Sequence, residues 1–177
     1  MKREINPTTA VVPCPVVLLS VGTDRPNIIT LSWVANVCSD PPTIVAGIRP
    51  QRYSYDLVKQ AGEFVLNIPS VDQLEASRFS GTKSGRSHDK FSECGLTPVP
   101  ASKVGAMMIE ECPINIECRT TQVVHLGVHD LFIAEVVNVH IDEGLLDENG
   151  KLDASRTRLF TYLPLNGEYW TIEKRMD

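Results

Sequence analysis

The sequence predicts an all-β barrel or sandwich with short helical insertions. Three observations support this class: β-type runs recur along the chain, turn signals separate them, and the helical stretches are few and brief. The chain has 177 residues, of which 42% are hydrophobic and 22% are charged. This composition is typical of a globular protein, and we expect residues 1–177 to form a single domain.

The first half of the chain contains the clearest strand signals. Residues 16–21 and 27–33 are β-rich and flank a turn signal at residues 22–26, so they predict a hairpin. Residues 38–42 break the chain before a further strand at residues 43–48. This order predicts consecutive antiparallel strands.

The second of these strands has two different faces. Its period-two pattern places Ile29, Leu31 and Trp33 on one side. Thr30 and Ser32 fall on the other side. Two hydroxyls beside a large aromatic residue either meet water or line a polar ligand pocket.

An anion site is predicted where the strand at residues 43–48 leads into a short helix over residues 54–60. Arg52 and Ser54 stand at the start of this helix, with Ser54 as its N-cap, and Gly62 closes it. The first amide groups of a helix have no partner within it, so a cation and a hydroxyl there favour anion binding. Together with the strand hydroxyls and Trp33, this site indicates an aromatic phosphate ester as ligand.

A second helix and a polar loop follow the strand at residues 63–68. Ser70 and Gln73 fit a capping box, and the helix should end near Phe79 or Ser80, at Gly81. The loop over residues 81–91 is rich in glycine and cations, but it contains neither GxxxxGK[ST] nor GxGxxG. It is therefore either a phosphate-binding loop or a solvated surface loop.

The second half of the chain is dominated by strands. Residues 114–124 and 131–141 are long β-type runs joined by residues 125–130. Residues 159–163 form a last predicted strand, and residues 168–174 are read as a polar tail containing Trp170.

Several classes of function are disfavoured. The net charge of -5 argues against a nucleic-acid binder. Apolar runs are too short for a membrane span, and the amino terminus lacks a secretory signal, so we expect a cytoplasmic location. Five cysteines without paired spacing are expected to be reduced packing residues.

No catalytic or metal-binding group stands out. His125 and His129 are four residues apart, but on a turn, where this spacing does not align two metal ligands. GxSxG and an evident acid–base pair are both missing. We therefore expect no catalytic side chain and no metal, and a bound cofactor that carries the chemistry.

The order of short motifs adds a family resemblance. The motifs are Pro15-Val16-Val17-Leu18, Asn27-x-x-Thr30-x-Ser32-Trp33, Ser39-x-Pro41-Pro42, Arg52-x-Ser54, Gly62-x-Phe64-x-x-Asn67, Gly81-x-x-Ser84-Gly85-x-x-x-Asp89-Lys90-Phe91 and Gly127-x-His129-x-Leu131-Phe132-Ile133-x-Glu135-Val136. In this order the chain resembles the flavin reductase-like family of FMN-binding split β-barrels, which includes flavoredoxins and related flavin or ferric reductases. The resemblance implies a Greek-key split barrel.

The resemblance also implies a cofactor and its ligands. FMN would bind near the interface of a homodimer, with Trp33 near the flavin ring and His129 reaching the cofactor within its own subunit or from the second one. Asn27, Thr30 and Ser32 would contact the polar atoms of the ring or the ribityl chain. The phosphate would be held by Arg52, Ser54 and Lys90. Further cofactor-binding candidates are Ser84, Phe160 and Tyr162.

Three functions remain open at this stage. The first is an oxidoreductase that passes electrons from a reduced donor such as NAD(P)H through FMN to an acceptor. The second is an FMN-bearing electron carrier that docks to redox partner proteins. The third is a binding barrel without a cofactor. The sequence does not distinguish NADH, NADPH or a redox protein as the donor.

Overall fold

The structure, a computed structural model, describes residues 1–172 and 176. Strands predominate in this part of the chain, with three short α-helices between them. The strands are β1 Cys14–Pro15, β2 Val17–Val21, β3 Asn27–Leu31, β4 Val34–Ser39, β5 Pro42–Ile48, β6 Glu63–Ile68, β7 Pro98–Pro100, β8 Met107–Ile109, β9 Ile114–His125, β10 Asp130–Ile141, β11 Phe160–Leu163 and β12 Glu168–Thr171. The helices are α1 Tyr53–Ala61, α2 Leu74–Thr82 and α3 Lys90–Cys94. The predicted mostly-β class with short helical insertions is confirmed.

Seven strands form one antiparallel sheet in the order β3-β2-β6-β9-β10-β5-β4. Its two edge strands, β3 and β4, follow each other in the chain and are joined only by Ser32 and Trp33. A link this short keeps the strand ends within roughly 10 Å, so the sheet must curl round on itself. Among the described residues no ladder pairs β3 with β4. The barrel therefore stays open between these strands, and we call this gap the barrel split.

Alternate side chains of the sheet fill the inside of this barrel. Ile29 and Leu31 of β3 point inward, as their period-two pattern predicts. Phe64, Phe132 and Ala134 from central strands are fully buried beside them. Helix α1 contributes two further members of this core cluster, Tyr55 and Val58.

The opposite face of β2 and β3 is covered by the helices. Leu18 and Ile28 pack there with Phe91 of α3 in a second buried cluster. Strand β3 is thus sandwiched between the barrel core and the helices. This placement directs Thr30 away from the core, toward α2.

The structure contains strands that the sequence analysis did not predict, among them β4, β7, β8 and β12. Residues 38–42 are not a simple break, because β4 continues to Ser39 and pairs with β5 across a tight turn at Asp40 and Pro41. The three-residue strands β7 and β8 gave no periodic signal. Strand β12 pairs with β11 where we expected a polar tail; Lys174 of that tail lies outside the described residues.

The helix boundaries also differ in part. The Ser70–Gln73 capping box is confirmed, but it caps a 3-10 turn, Val71–Gln73, that leads into α2. Helix α2 runs on to Thr82 and includes Gly81. Gly62 ends α1 in the left-handed conformation, with φ 68°, as predicted. None of the described helices is both long and apolar enough to cross a membrane.

Candidate functional site

A pocket of about 290 Å³ lies at the barrel split. The predicted site residues that line it are Thr30, Ser32, Trp33, Arg52, His129 and Tyr162. They come from the β3–β4 connection, the segment before α1, the β9–β10 turn and β11, which are far apart in sequence. Ile29, Leu31, Gly47, Arg49 and Gly81 complete the lining.

The end of β3 forms one wall of the pocket. The Thr30 hydroxyl donates to the Ser77 carbonyl of α2 at 2.6 Å, so its lone pairs can still accept from a ligand. Trp33 does not share the buried face of Ile29 and Leu31, because the strand ends at Leu31. The indole is instead 37% exposed beside the pocket, which corrects the same-face prediction.

Gly47 of β5 lets the backbone at Trp33 come close. The Gly47 amide donates to the Trp33 carbonyl at 2.7 Å. A Cβ at position 47 would lie 3.0 Å from the Trp33 Cβ and 3.6 Å from Leu131 Cδ2. Any larger residue would therefore push Trp33 away from its position at the barrel split.

His129 faces the same pocket from the turn between β9 and β10. Its ring meets the Trp33 ring edge to face, with centroids 6.3 Å apart. The Nε of Arg49 donates to Nε2 of His129 at 3.3 Å. Partial burial and the charge of Arg49 lower the pKa of His129, which favours the neutral ring.

Lys90 belongs to a helix and not to the polar loop over residues 81–91 in which we placed it. It begins α3 and is only 4% exposed, with Nζ donating to the carbonyls of Ile28 at 2.6 Å and Ser80 at 2.9 Å. Burial and the nearby charge of Arg52 lower its pKa to about 8. An ammonium has three donors, and one of these is not used by the two carbonyls.

Arg49 and Arg52 line the pocket, whereas Lys90 does not line it but lies close enough to Arg52 for the two charges to interact. Within residues 1–172 and 176, no ion pair involves Arg49, Arg52 or Lys90. Arg49 and Arg52 are exposed, but Lys90 is buried, and a buried charge is ordinarily paired, so Lys90 next to Arg52 fits a bound anion. A phosphate monoester carries about 1.5–2 negative charges at neutral pH and would compensate them.

Asn27 and Ser54 lie under the pocket wall and do not line it. Asn27 Nδ2 donates to Ser54 Oγ at 2.7 Å, and both residues are buried. Ser54 is not the N-cap of α1, as was predicted; that position is Arg52, whose side chain makes no capping bond. The hydroxyl of Ser54 lies instead within the first turn, where Asn27 holds it.

The loop between α2 and α3 packs closely on this pair. A Cβ at Gly85 would fall 1.9 Å from Asn27 Oδ1 and 2.7 Å from Tyr53 Cδ1, so only glycine fits there. Ser84 is exposed, and its Oγ accepts from the Arg86 amide at 3.3 Å. The loop therefore packs against the start of α1. Ser84 does not line the pocket.

The two aromatic candidates of β11 have different surroundings. Tyr162 lines the pocket, whereas Phe160 is buried two residues away. Both rings pack on Tyr169 of β12, with centroid distances of 5.1 Å for Tyr162 and 5.9 Å for Phe160. Phe160 therefore supports the pocket wall from behind.

Sequence reasoning missed Arg49, Gly47 and Gly81 as pocket residues. Arg49 stands three positions before Arg52, and the sequence alone did not show which of the two cations faces a ligand. The roles of the glycines depend on contacts with Trp33 and Thr30, which only the folded sheet brings about.

A second cavity, of about 470 Å³, lies between α2 and α3. It is lined by Glu75, Ala76, Arg78, Phe79, Thr82, Glu93 and Cys94, none of which is a predicted site residue. Its two carboxylates and one guanidinium do not suit a phosphate. In the described part of the chain, no group of three or more His, Cys, Asp or Glu side chains could hold a metal ion.

Comparison with known proteins identifies the family of the chain. Residues 9–164 match the model of the flavin reductase like domain. A protein of Archaeoglobus fulgidus is 33% identical over 154 residues, which are 86% of each chain. The FMN reductase (NADH) RutF of Pseudomonas syringae pv. syringae is 27% identical over 65% of this chain and 62% of its own length.

A solved structure shows the same fold over the whole chain. Flavoredoxin of Desulfovibrio vulgaris (Miyazaki F) superposes with a TM-score of 0.94 at 31% identity, covering 100% of this chain and 96% of that one. The split-barrel prediction is confirmed by this match. The domain match covers most of the sequence and includes every predicted site residue. The chain is a member of the flavin reductase-like family.

Proposed function

We propose that this chain is an FMN-dependent oxidoreductase that passes electrons from NAD(P)H through FMN to an acceptor. The observation that carries the proposal is the pocket at the barrel split, where cations without carboxylate partners meet strand hydroxyls and an exposed indole. The family supports FMN as the cofactor, and the relative from Pseudomonas syringae is named FMN reductase (NADH).

Several side chains of the pocket, and the buried Lys90 near Arg52, have roles in this proposal. FMN would supply the redox chemistry, because its ring accepts a hydride or single electrons. Arg52 and Lys90 would offset the charge of the phosphate, and the Thr30 and Ser32 hydroxyls would bond to the polar atoms of the cofactor. Trp33 would cover part of the ring, and His129 would donate a hydrogen bond to it.

An anaerobic titration tests the oxidoreductase. The purified protein is reconstituted with FMN, and NADH or NADPH is added without oxygen while the absorbance of the flavin is followed. Bleaching by either nucleotide supports the proposal, and re-oxidation by added free flavin or a ferric chelate would identify the class of acceptor. Failure of both nucleotides to bleach a protein that binds FMN would contradict it.

An electron carrier is the second candidate. The 0.94 TM-score and 31% identity to flavoredoxin favour it, as does the lack of an evident acid–base pair in the described pocket. In this case a reduced redox protein, and not NAD(P)H, would bleach the bound flavin. The same titration therefore separates the two candidates.

A homodimer with FMN near its interface is also part of the proposal. The outer side of the sheet beside the pocket carries several apolar side chains: Val45 pairs with Ile133 across β5 and β10, and Gly47 pairs with Leu131. Gln122 of β9, which pairs with Ile133, is a polar residue on the same side. We call Ala35, Val45, Val124, Leu131 and Ile133 the outer sheet face. It continues directly into Trp33 and His129, so a second copy seated there would complete the pocket wall.

A cytoplasmic location likewise remains a proposal. Its support is that the five cysteines are all free, as expected for a reducing compartment. Fractionation of cells that express the tagged chain would test it. Recovery outside the cytoplasmic fraction would contradict it.

A further inference from the structure

Arg49 and His129 meet where two neighbouring strands end. Arg49 directly follows β5, and His129 directly precedes β10. The register pairs Asp130 with Ile48, which brings positions 129 and 49 side by side. The sheet itself therefore aligns the guanidinium with the imidazole.

The direction of the hydrogen bond defines the tautomer of His129. Arginine can only donate, so the Nε2 atom that faces Arg49 Nε at 3.3 Å must accept. A neutral imidazole whose Nε2 accepts carries its proton on Nδ1. The charge of Arg49 also opposes a second proton on the ring, in the same direction as its partial burial.

The other groups around His129 either disfavour a charged imidazole as well or have no effect on its protonation. Arg52 lines the same pocket and is also cationic, while Trp33 and Tyr162 are uncharged. The neighbouring Asp130 has both oxygens engaged elsewhere: one accepts from the Tyr55 hydroxyl at 2.5 Å, and the other binds Nδ1 of His125. No carboxylate in the described pocket lining therefore favours a charged His129.

We propose that Arg49 is the positioning residue of His129: it fixes an uncharged ring with its proton on Nδ1, so that the pocket offers one ring N–H donor to its ligand. The ligand is FMN if the proposed function holds, and only that part of the inference rests on it. The arrangement within the protein alone can be measured without any cofactor.

Three variants of Arg49 separate its charge from its hydrogen bond. Arg49→Gln keeps a donor without the charge, Arg49→Lys keeps the charge on a different donor, and Arg49→Met keeps neither. Because Arg49 is exposed, all three should fold, which circular dichroism checks. Arg25→Gln, in the exposed turn after β2, removes a cation elsewhere and serves as the matched control.

The first readout is NMR titration of the histidine rings in the protein without FMN. The chain has 4 histidines, and His129→Asn assigns the signal. In the wild type, the neutral ring should show Nδ1–H and titrate below the ordinary range. The pKa of His129 should be higher in Arg49→Gln and Arg49→Met than in the wild type, and it should stay low in Arg49→Lys. Only Arg49→Met should lose the preference of His129 for the tautomer with Nδ1–H. A wild-type ring with Nε2–H, or no shift in Arg49→Met, would overturn the proposal.

The second readout is the dissociation constant of FMN. Arg49→Met should weaken binding about twofold to tenfold, the range of one neutral hydrogen bond, whereas Arg49→Gln should lose less. If the wild type binds no FMN but its histidine titrates as described, the proposed function fails and the role of Arg49 stands. If FMN binds and Arg49→Met binds it equally well, the inference fails and the proposed function stands.

Discussion

At the scale of single residues, Lys90 is a cation whose burial costs free energy unless an anion lies near it. Its Nζ is held by the Ile28 and Ser80 carbonyls, which fixes the ammonium between β3 and α2. Two dipoles offset only part of the cost of burying this charge. We propose that the phosphate of the ligand offsets the remainder of this cost.

Removing a cation from this site should weaken FMN binding. Lys90→Met and Arg52→Met should each cost about 1.5–3 kcal/mol, which is about tenfold to a hundredfold in the dissociation constant. Lys59→Met, near the other end of α1, should leave affinity unchanged. Fluorescence titration with FMN measures all three, and wild-type affinity in both Lys90→Met and Arg52→Met would refute the phosphate assignment.

The affinity of the wild type should also depend on pH through Lys90. Its pKa is lowered to about 8, so its charge is complete well below that pH and is lost as pH rises through it. FMN binding should accordingly weaken between about pH 7 and 9. The FMN affinity of the Lys90→Met variant should not change over this pH range. If the variant and the wild type show the same pH dependence, Lys90 does not contribute to it.

Glu117 is also a buried charge, but unlike Lys90 it has hydrogen-bond partners for both of its carboxylate oxygens. Its carboxylate accepts from the amides of Ser102, Lys103 and Val104, and from Asn138 and His140. These bonds lower its pKa to about 2 in spite of full burial. The carboxylate thereby ties residues 102–104 to the sheet.

Glu117→Gln should destabilise the protein by about 3 kcal/mol at neutral pH, because it removes a buried, paired charge. The folded pKa lies below the unfolded value of about 4.3, so this stabilisation is present above the unfolded pKa and is lost as pH falls toward 2. Urea unfolding at pH 7 and pH 3 measures both effects. The exposed Glu75→Gln should change stability by less than about 0.5 kcal/mol. A Glu117→Gln variant as stable as the wild type would contradict this account.

At the scale of elements, sequence reasoning succeeded where a signal was local. The period-two pattern of β3, the β-type run of β10 and the Ser70–Gln73 capping box depend on neighbouring residues only, and the structure contains all three elements. Strand β4 was missed because Asp40, Pro41 and Pro42 indicate a break, although they form the turn of a hairpin. The burial of Lys90 could not be predicted, since its partners lie on β3 and α2.

The loop between α2 and α3 provides an element-scale prediction. Gly85→Ala places a Cβ 1.9 Å from Asn27 Oδ1, so the loop must lift or Asn27 must release Ser54. We expect a loss of about 1–3 kcal/mol in stability and weaker FMN binding. Gly144→Ala is the matched control, because its Cβ meets no atom within 4 Å. Thermal unfolding and FMN titration compare the two, and equal behaviour would show that the loop does not depend on this contact.

At the scale of the whole molecule, the proposed homodimer would join the pocket to the outer sheet face of a second copy. FMN should stabilise the dimer, because a ligand that binds one form better shifts the equilibrium toward it. Val45→Glu puts a charge on the outer sheet face and should yield monomers with weakened FMN binding. Val139→Glu, an exposed position at the far half of β10, should remain dimeric. Sedimentation with and without FMN decides this, and a wild-type holoprotein that sediments as a monomer would refute the shared site.

The central claim is that the barrel split binds FMN through its phosphate. The most direct measurement compares the equilibrium binding of FMN and riboflavin to the protein freed of cofactor. The two ligands differ only in the phosphate group, which the cationic side chains of Arg52 and Lys90 should bind. We predict that riboflavin binds at least about tenfold more weakly, since one charge-assisted hydrogen bond corresponds to about a decade in affinity. Equal affinities for the two flavins, or no binding of FMN, would contradict the account.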